Sequence, residues 1–237
     1  VIALVTLATL YVGVAVGWNH LIDLSRGMDW LLAGIWLFMT ATLCWGIEVR
    51  RDLLIVAVGF GGGLVIEAWG TQTELWRYFT AERPPIWILP AWPVAALTID
   101  RLARALERVV PERAPTTAAY WLMVPAFVVV MARFVWPSVH LSWTQVVLVL
   151  MVGVTATGQT RRRDALLMVA GAGLGIFLEY WGTSRRCWIY YTGEVPPVEA
   201  VLAHGFAAIA FHRAAGVLDA AWEAVAPRVG ASRPERV

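Results

Sequence analysis

The hydrophobic positions of this chain fall into eight runs separated by charged or proline-containing breaks, near 1–22, 30–49, 52–70, 86–106, 118–136, 143–159, 164–182 and 198–218. A bilayer core of roughly 30 Å needs about 20 apolar residues per helix, so each run is long enough to span one. Tight polar corners join the second run to the third (Glu48, Arg50, Arg51, Asp52) and the sixth to the seventh (Arg161, Arg162, Arg163, Asp164). The pattern predicts an all-α polytopic membrane protein of about eight transmembrane helices. The chain opens at Val1 inside an apolar run with no basic stretch before it. That reads as a membrane helix entered part-way rather than as a removable signal peptide.

Shifting the chain by 112 residues aligns Arg50 to Leu106 with Arg162 to Leu218 without a gap, with 23 identities in 57 positions. This is a tandem duplication. The identities concentrate where Glu67, Trp69, Gly70, Thr71, Trp76, Tyr78, Thr80, Glu82, Pro84 and Pro85 recur as Glu179, Trp181, Gly182, Thr183, Trp188, Tyr190, Thr192, Glu194, Pro196 and Pro197. The organisation expected is a first four-helix repeat over 1–112, a second over 113–225 and a flexible tail over 226–237. Four spans per repeat is an even number, so the halves keep one orientation, as parallel repeats about an axis along the membrane normal do, with a shared hollow between them.

Composition and charge narrow the picture further. With 59% hydrophobic and 15% charged residues, the chain is far more apolar than a soluble domain. Two cysteines exclude a disulfide scaffold, and a net charge of +2 gives no basic field for nucleic acid. If the spans alternate, one side collects thirteen arginines and the other six. The positive-inside rule then puts both termini in the cytoplasm, in a protein of the bacterial inner membrane. Partners are expected to be the lipid bilayer, an apolar ligand and other membrane subunits.

Glu67 lies 15 residues beyond Asp52, about 22 Å along a helix, and so within the hydrocarbon zone. Ionisable groups at that depth face a bundle interior or a wet cavity, and a functional site is the default reading. Gly59, Gly63, Glu67 and Thr71 fall on one helical stripe, repeated by Gly171, Gly175, Glu179 and Thr183. Small residues spaced in this way let helices approach closely. The bland reading stands beside this one: a buried glutamate can tie a helix end to backbone amides or an arginine, and its recurrence can record descent alone.

The loops that follow, Gly70 to Pro85 and Gly182 to Pro197, carry Trp76, Tyr78, Phe79, Trp188, Tyr190 and Tyr191. Such rings serve as interfacial anchors or as the wall over an apolar ligand. The proline pairs end the loops and start the next helices. His20, His140, His204 and His212 have no metal-ligand spacing, and His204 and His212 replace Trp92 and Asp100 of the first half. No metal is expected, although His204 is the most plausible pigment ligand. Cys44 and Cys187 read as unpaired packing residues, Asp100 as a local ion pair with Arg101, and Arg185 and Arg186 as solvated loop residues.

Glu67, Gly70, Thr71 and Thr73 read E-x-x-G-T-x-T, followed by Tyr78, Thr80 and the step Pro90, Ala91, Trp92. This series resembles the membrane-embedded carotenoid-biosynthesis hydratases, whose pattern runs E-x-x-G-x-x-T-G, an F-G-x-Y-x-Y-T stretch, then Pro and an Ala-Trp pair opening the next helix. The second half carries a thinner version, in which Arg185 replaces the second threonine. The resemblance implies an integral enzyme acting on a long polyene. A neutral glutamate can protonate an alkene as a general acid, and aromatic faces can stabilise the carbocation that develops. On that reading Glu67 and Glu179 are the acids. Trp69, Trp76, Tyr78, Trp181, Trp188 and Tyr190 line the polyene, and Thr71 and Thr183 position water.

Two function classes follow. One is a membrane protein that binds an isoprenoid or carotenoid and protonates it as a hydratase- or cyclase-like enzyme, with no resident cofactor beyond a bound carotenoid or other pigment. The other is a non-catalytic accessory subunit that stabilises a pigment or electron-transfer complex and holds lipid or pigment. A small transporter ranks third, because matched helix breakers in mid-span are lacking.

Overall fold

The computed structural model describes residues 29–157 and 160–225, with isolated positions between 5 and 16. Seven helices carry the described regular structure: α1 (Asp29–Leu43), α2 (Val49–Gln72), α3 (Ala91–Val109), α4 (Thr116–Val135), α5 (Ser142–Ala156), α6 (Arg161–Ser184) and α7 (Val198–Val225). Two three-residue strands, β1 (Trp76–Tyr78) and β2 (Trp188–Tyr190), add one small sheet. The charged corners became helix starts. Asp52 and Asp164 sit in the first turns of α2 and α6, where the helix dipole favours negative charge.

Among the described residues, five helical segments are long and apolar enough to cross a membrane: Val49–Gln72, Ile86–Val109, Thr116–Ser138, Arg161–Ser184 and Val198–Ala224. Helices α1 and α5 have 15 residues each. At about 1.5 Å per residue they measure roughly 22 Å and fall short of the bilayer core. The expected run at 1–22 and the tail at 226–237 lie outside the described residues apart from those isolated positions. Helix α1 ends at Leu43 rather than near 49, and the chain turns at Gly46 with φ +62°, a conformation that costs glycine little.

The 112-residue shift carries α2 onto α6 and β1 onto β2 residue for residue. Packing crosses between the two copies. Helix α2 contacts α3 and α7, α3 contacts α6, α1 lies against α6, and α5 lies against α2. One core joins both copies, with Trp69, Trp76, Phe127, Phe134, Trp188 and Phe206 among its buried rings. Within each copy the glycine stripe sets the helix spacing. A Cβ at Gly59 would come within 2.9 Å of the Pro93 Cα, and one at Gly171 within 2.6 Å of the Gly205 Cα.

At the arginine-rich end of the bundle the ion pairs also repeat. Arg101 donates to Asp52 at 2.5 Å and to the Trp45 carbonyl at 2.8 Å, while Arg213 pairs with Asp164 and with the Thr157 carbonyl. Asp100 breaks the symmetry, since His212 occupies its place in the second copy. Its environment is larger than the local pair expected from sequence. Arg51 and Arg163 reach it at 2.6 and 2.8 Å from two other helices, beside Arg101 and Arg104 of its own.

Candidate functional site

Each repeated glutamate sits near the C-terminus of a long helix, and the chain then folds back over it. After α2 the backbone turns at Glu74 (φ +60°), and the Leu75 amide donates to the Gly70 carbonyl at 2.9 Å. After α6 it turns at Arg186 (φ +54°), and the Cys187 amide donates to the Gly182 carbonyl at 2.8 Å. The strands that follow alternate sides: Trp76 and Tyr78 point inward and Arg77 outward. The Trp76 ring lies against Gly70, and the Trp188 ring against Gly182. A Cβ at either glycine would fall inside the indole.

The inward side chains converge on the carboxyls. Glu67 accepts from Trp76 Nε1 at 3.1 Å, the Tyr78 hydroxyl at 2.9 Å and Trp92 Nε1 of α3 at 3.0 Å. Glu179 accepts from Trp188 Nε1 at 2.8 Å and the Tyr190 hydroxyl at 3.0 Å, and its Oε1 lies 2.9 Å from His204 Nε2 of α7. The glutamates are 3% and 5% exposed. Donors of this kind satisfy a buried carboxyl that would otherwise be very costly to hold out of water.

The strands pair antiparallel, Trp76 with Tyr190, Arg77 with Ile189 and Tyr78 with Trp188. This sets Trp76 against Tyr190 at 5.9 Å between ring centroids and Tyr78 against Trp188 at 6.0 Å, so that four rings close over both acids. Between the acids, Trp92 stacks on His204 at 6.1 Å with 16° between planes. The hollow expected there is therefore filled by aromatic rings. A cavity of about 10 Å³, room for roughly one water, lies at the other end between Asp100, His212, Ile55 and Leu167. An apolar recess of about 300 Å³ opens at Gly153, Val154, Thr157, Ala214, Val217 and Leu218, and neither carboxyl lines it.

Burial first, and then the adjacent glutamate carboxyls, hold the Tyr78 and Tyr190 phenols well above the ordinary tyrosine range. Both phenols therefore act as hydrogen-bond donors at neutral pH. Burial also pushes the Cys187 thiol up to about 11. Cys44 and Cys187 are both free.

Of the site residues expected from sequence, Glu67, Glu179, Trp76, Tyr78, Trp188 and Tyr190 are brought together. Trp69 and Trp181 form a layer behind them, edge-on to Trp76 and Trp188. Their indoles point away, Trp69 donating to Thr144 at 2.9 Å and Trp181 to Asp29 at 3.2 Å, which ties each long helix to the short helix of the other copy. Thr71 and Thr183 donate to the carbonyls of Glu67 and Glu179 at 2.6 Å, so each hydroxyl hydrogen is used within its own helix. Trp92 and His204 were missed as partners of the acids. The available signal was their shared position, 25 residues beyond each glutamate. The tryptophan can only donate, whereas the imidazole can donate or accept.

Among the described residues no group of three or more histidine, cysteine, aspartate or glutamate side chains is placed to hold a metal ion. No protein-family model, curated protein or solved structure matches the chain.

Proposed function

We propose that the chain is an integral membrane protein of two parallel four-helix repeats, with both termini in the cytoplasm, that binds a long isoprenoid or carotenoid-like polyene and protonates one of its double bonds. The observation that supports this reading is the pair of buried carboxyls at equivalent positions, each enclosed by indole, phenol and, at Glu179, imidazole. In the proposed step the carboxyl proton bonds to one alkene carbon using the π pair, and the neighbouring carbon becomes cationic. Facing aromatic rings stabilise that cation. Water then adds to it and returns a proton to the carboxylate, giving net hydration. Alternatively, a second double bond attacks the cation and the ring-closed cation loses a proton to the carboxylate, giving a cyclic isomer and restoring the acid. Trp92 and His204 are partly exposed, and in this proposal the apolar chain approaches the acids past these two rings.

A second reading, the non-catalytic accessory subunit, is favoured by the hydrogen-bond partners already present on both oxygens of each carboxyl. Mild-detergent purification followed by absorbance and mass analysis separates the two. A co-purified polyene, whose conversion is lost in Glu67→Gln/Glu179→Gln with the fold intact, supports the enzyme. A stoichiometric larger complex without conversion supports the subunit.

A further inference from the structure

The two carboxyl sites repeat in every donor but one. At Glu67 the third partner is Trp92, and at the equivalent place on Glu179 it is His204. An indole N–H cannot take up a proton, so the partners of Glu67 comprise two indoles and a phenol held well above its ordinary range. An imidazole 2.9 Å from a carboxyl oxygen can pass a proton in either direction. From this difference we infer that the copies have divided their roles: Glu179 with His204 is the proton-exchanging site, and Glu67 with Trp92 is a fixed anchor that holds the lid and, through the Trp92–His204 stack, orients the imidazole. His204 is then a positioning and proton-relay residue that acts through Glu179.

The surroundings suit this assignment. His204 packs over Gly175 of α6, where a Cβ would come within 2.9 Å of the imidazole, so the glycine admits the ring. The titratable groups joined to the stack by hydrogen bonds are Glu179 on α6 with Tyr190 on β2, and Glu67 on α2 with Tyr78 on β1.

The inference rests on the proton-handling reading above, but its test needs no polyene. The full chain, purified in detergent, is examined by infrared difference spectroscopy on shifts between acidic and alkaline buffer. Beside the overlapping bands of the exposed carboxyls, wild type should give one resolved carboxyl band that responds. That band should be lost in Glu179→Gln, kept in Glu67→Gln, and shifted in His204→Trp, which rebuilds the first site in the second. Trp92→His should add a second responding band, and this tests the inference independently of how well His204→Trp folds. Loss of the resolved band in Glu67→Gln but not in Glu179→Gln overturns the division, as does a resolved band indifferent to His204→Trp or its absence from wild type. Failure to find a polyene leaves this result standing, whereas a bound polyene without the band overturns the division alone.

Discussion

Arg77 pairs across the small sheet with Ile189, its own counterpart 112 residues further along the chain. A residue that pairs with its own equivalent lies on a two-fold axis, and the neighbouring pairs, Trp76 with Tyr190 and Tyr78 with Trp188, exchange partners across that axis. A two-stranded ribbon is marginal by itself. Here it is held down by aromatic rings whose polar tips end on the buried acids. Each acid draws its hydrogen-bond partners from its own copy, and the strand pairing joins the two lids.

Gly70 and Gly182 exist to admit indole rings, so Gly70→Ala or Gly182→Ala should destabilise by the roughly 1–3 kcal/mol typical of overpacking. Gly61 and Gly173 share the same helices with nothing within 4 Å of an added Cβ. Alanine at those two positions should be neutral or stabilising by about 0.5–1 kcal/mol. Thermal unfolding in detergent, followed by circular dichroism, compares the four variants.

The bond from Trp69 to Thr144 ties α2 to α5 in the buried core, and Thr144 passes a hydrogen bond on to Ser138 at 3.0 Å. Trp69→Phe and Thr144→Val should each cost about 1–3 kcal/mol, since each leaves a buried partner unsatisfied. The double variant should cost less than their sum, with a coupling of at least about 0.5 kcal/mol in a double-mutant cycle.

Arg101 is 1% exposed and bonds to Asp52 and to the Trp45 carbonyl. Arg101→Leu strands a carboxylate and should cost about 3–5 kcal/mol. Asp52→Asn added to it should recover part of the loss. Denaturant unfolding midpoints measure both effects.

The raised Tyr78 and Tyr190 phenols fix the sign of an alkaline effect. Above the ordinary tyrosine value of about 10 the unfolded chain loses these protons while the folded chain retains them, so the unfolded state binds fewer protons and stability falls as pH rises. Stability attached to the phenols should be intact below about pH 10 and should decline above it. Tyr78→Phe/Tyr190→Phe should flatten that slope in melting temperatures recorded across alkaline pH.

The long helices and the twin glutamates were legible because the apolar runs are continuous and each acid appears twice with the same neighbours. The sheet was not, since each strand has three residues and its partner lies 112 positions away. The first short helix was overestimated because apolar Cys44, Trp45 and Ile47 continue the run past the turn at Gly46. Trp92 and His204 escaped because the duplicated sequences diverge at that position, although the geometry of their side chains does not. The arginine cluster on Asp100 was reduced to its sequence neighbour because Arg51 and Arg163 arrive from other helices.

Incubating a linear polyene with the detergent-purified protein in deuterium oxide tests proton delivery most directly. Product carrying one carbon-bound deuterium, formed by wild type and abolished in Glu67→Gln/Glu179→Gln with melting behaviour retained, is the expected result. Polyene recovered unchanged from wild type, or deuterated equally by the double variant, would contradict a role for these carboxyls in protonating an apolar ligand.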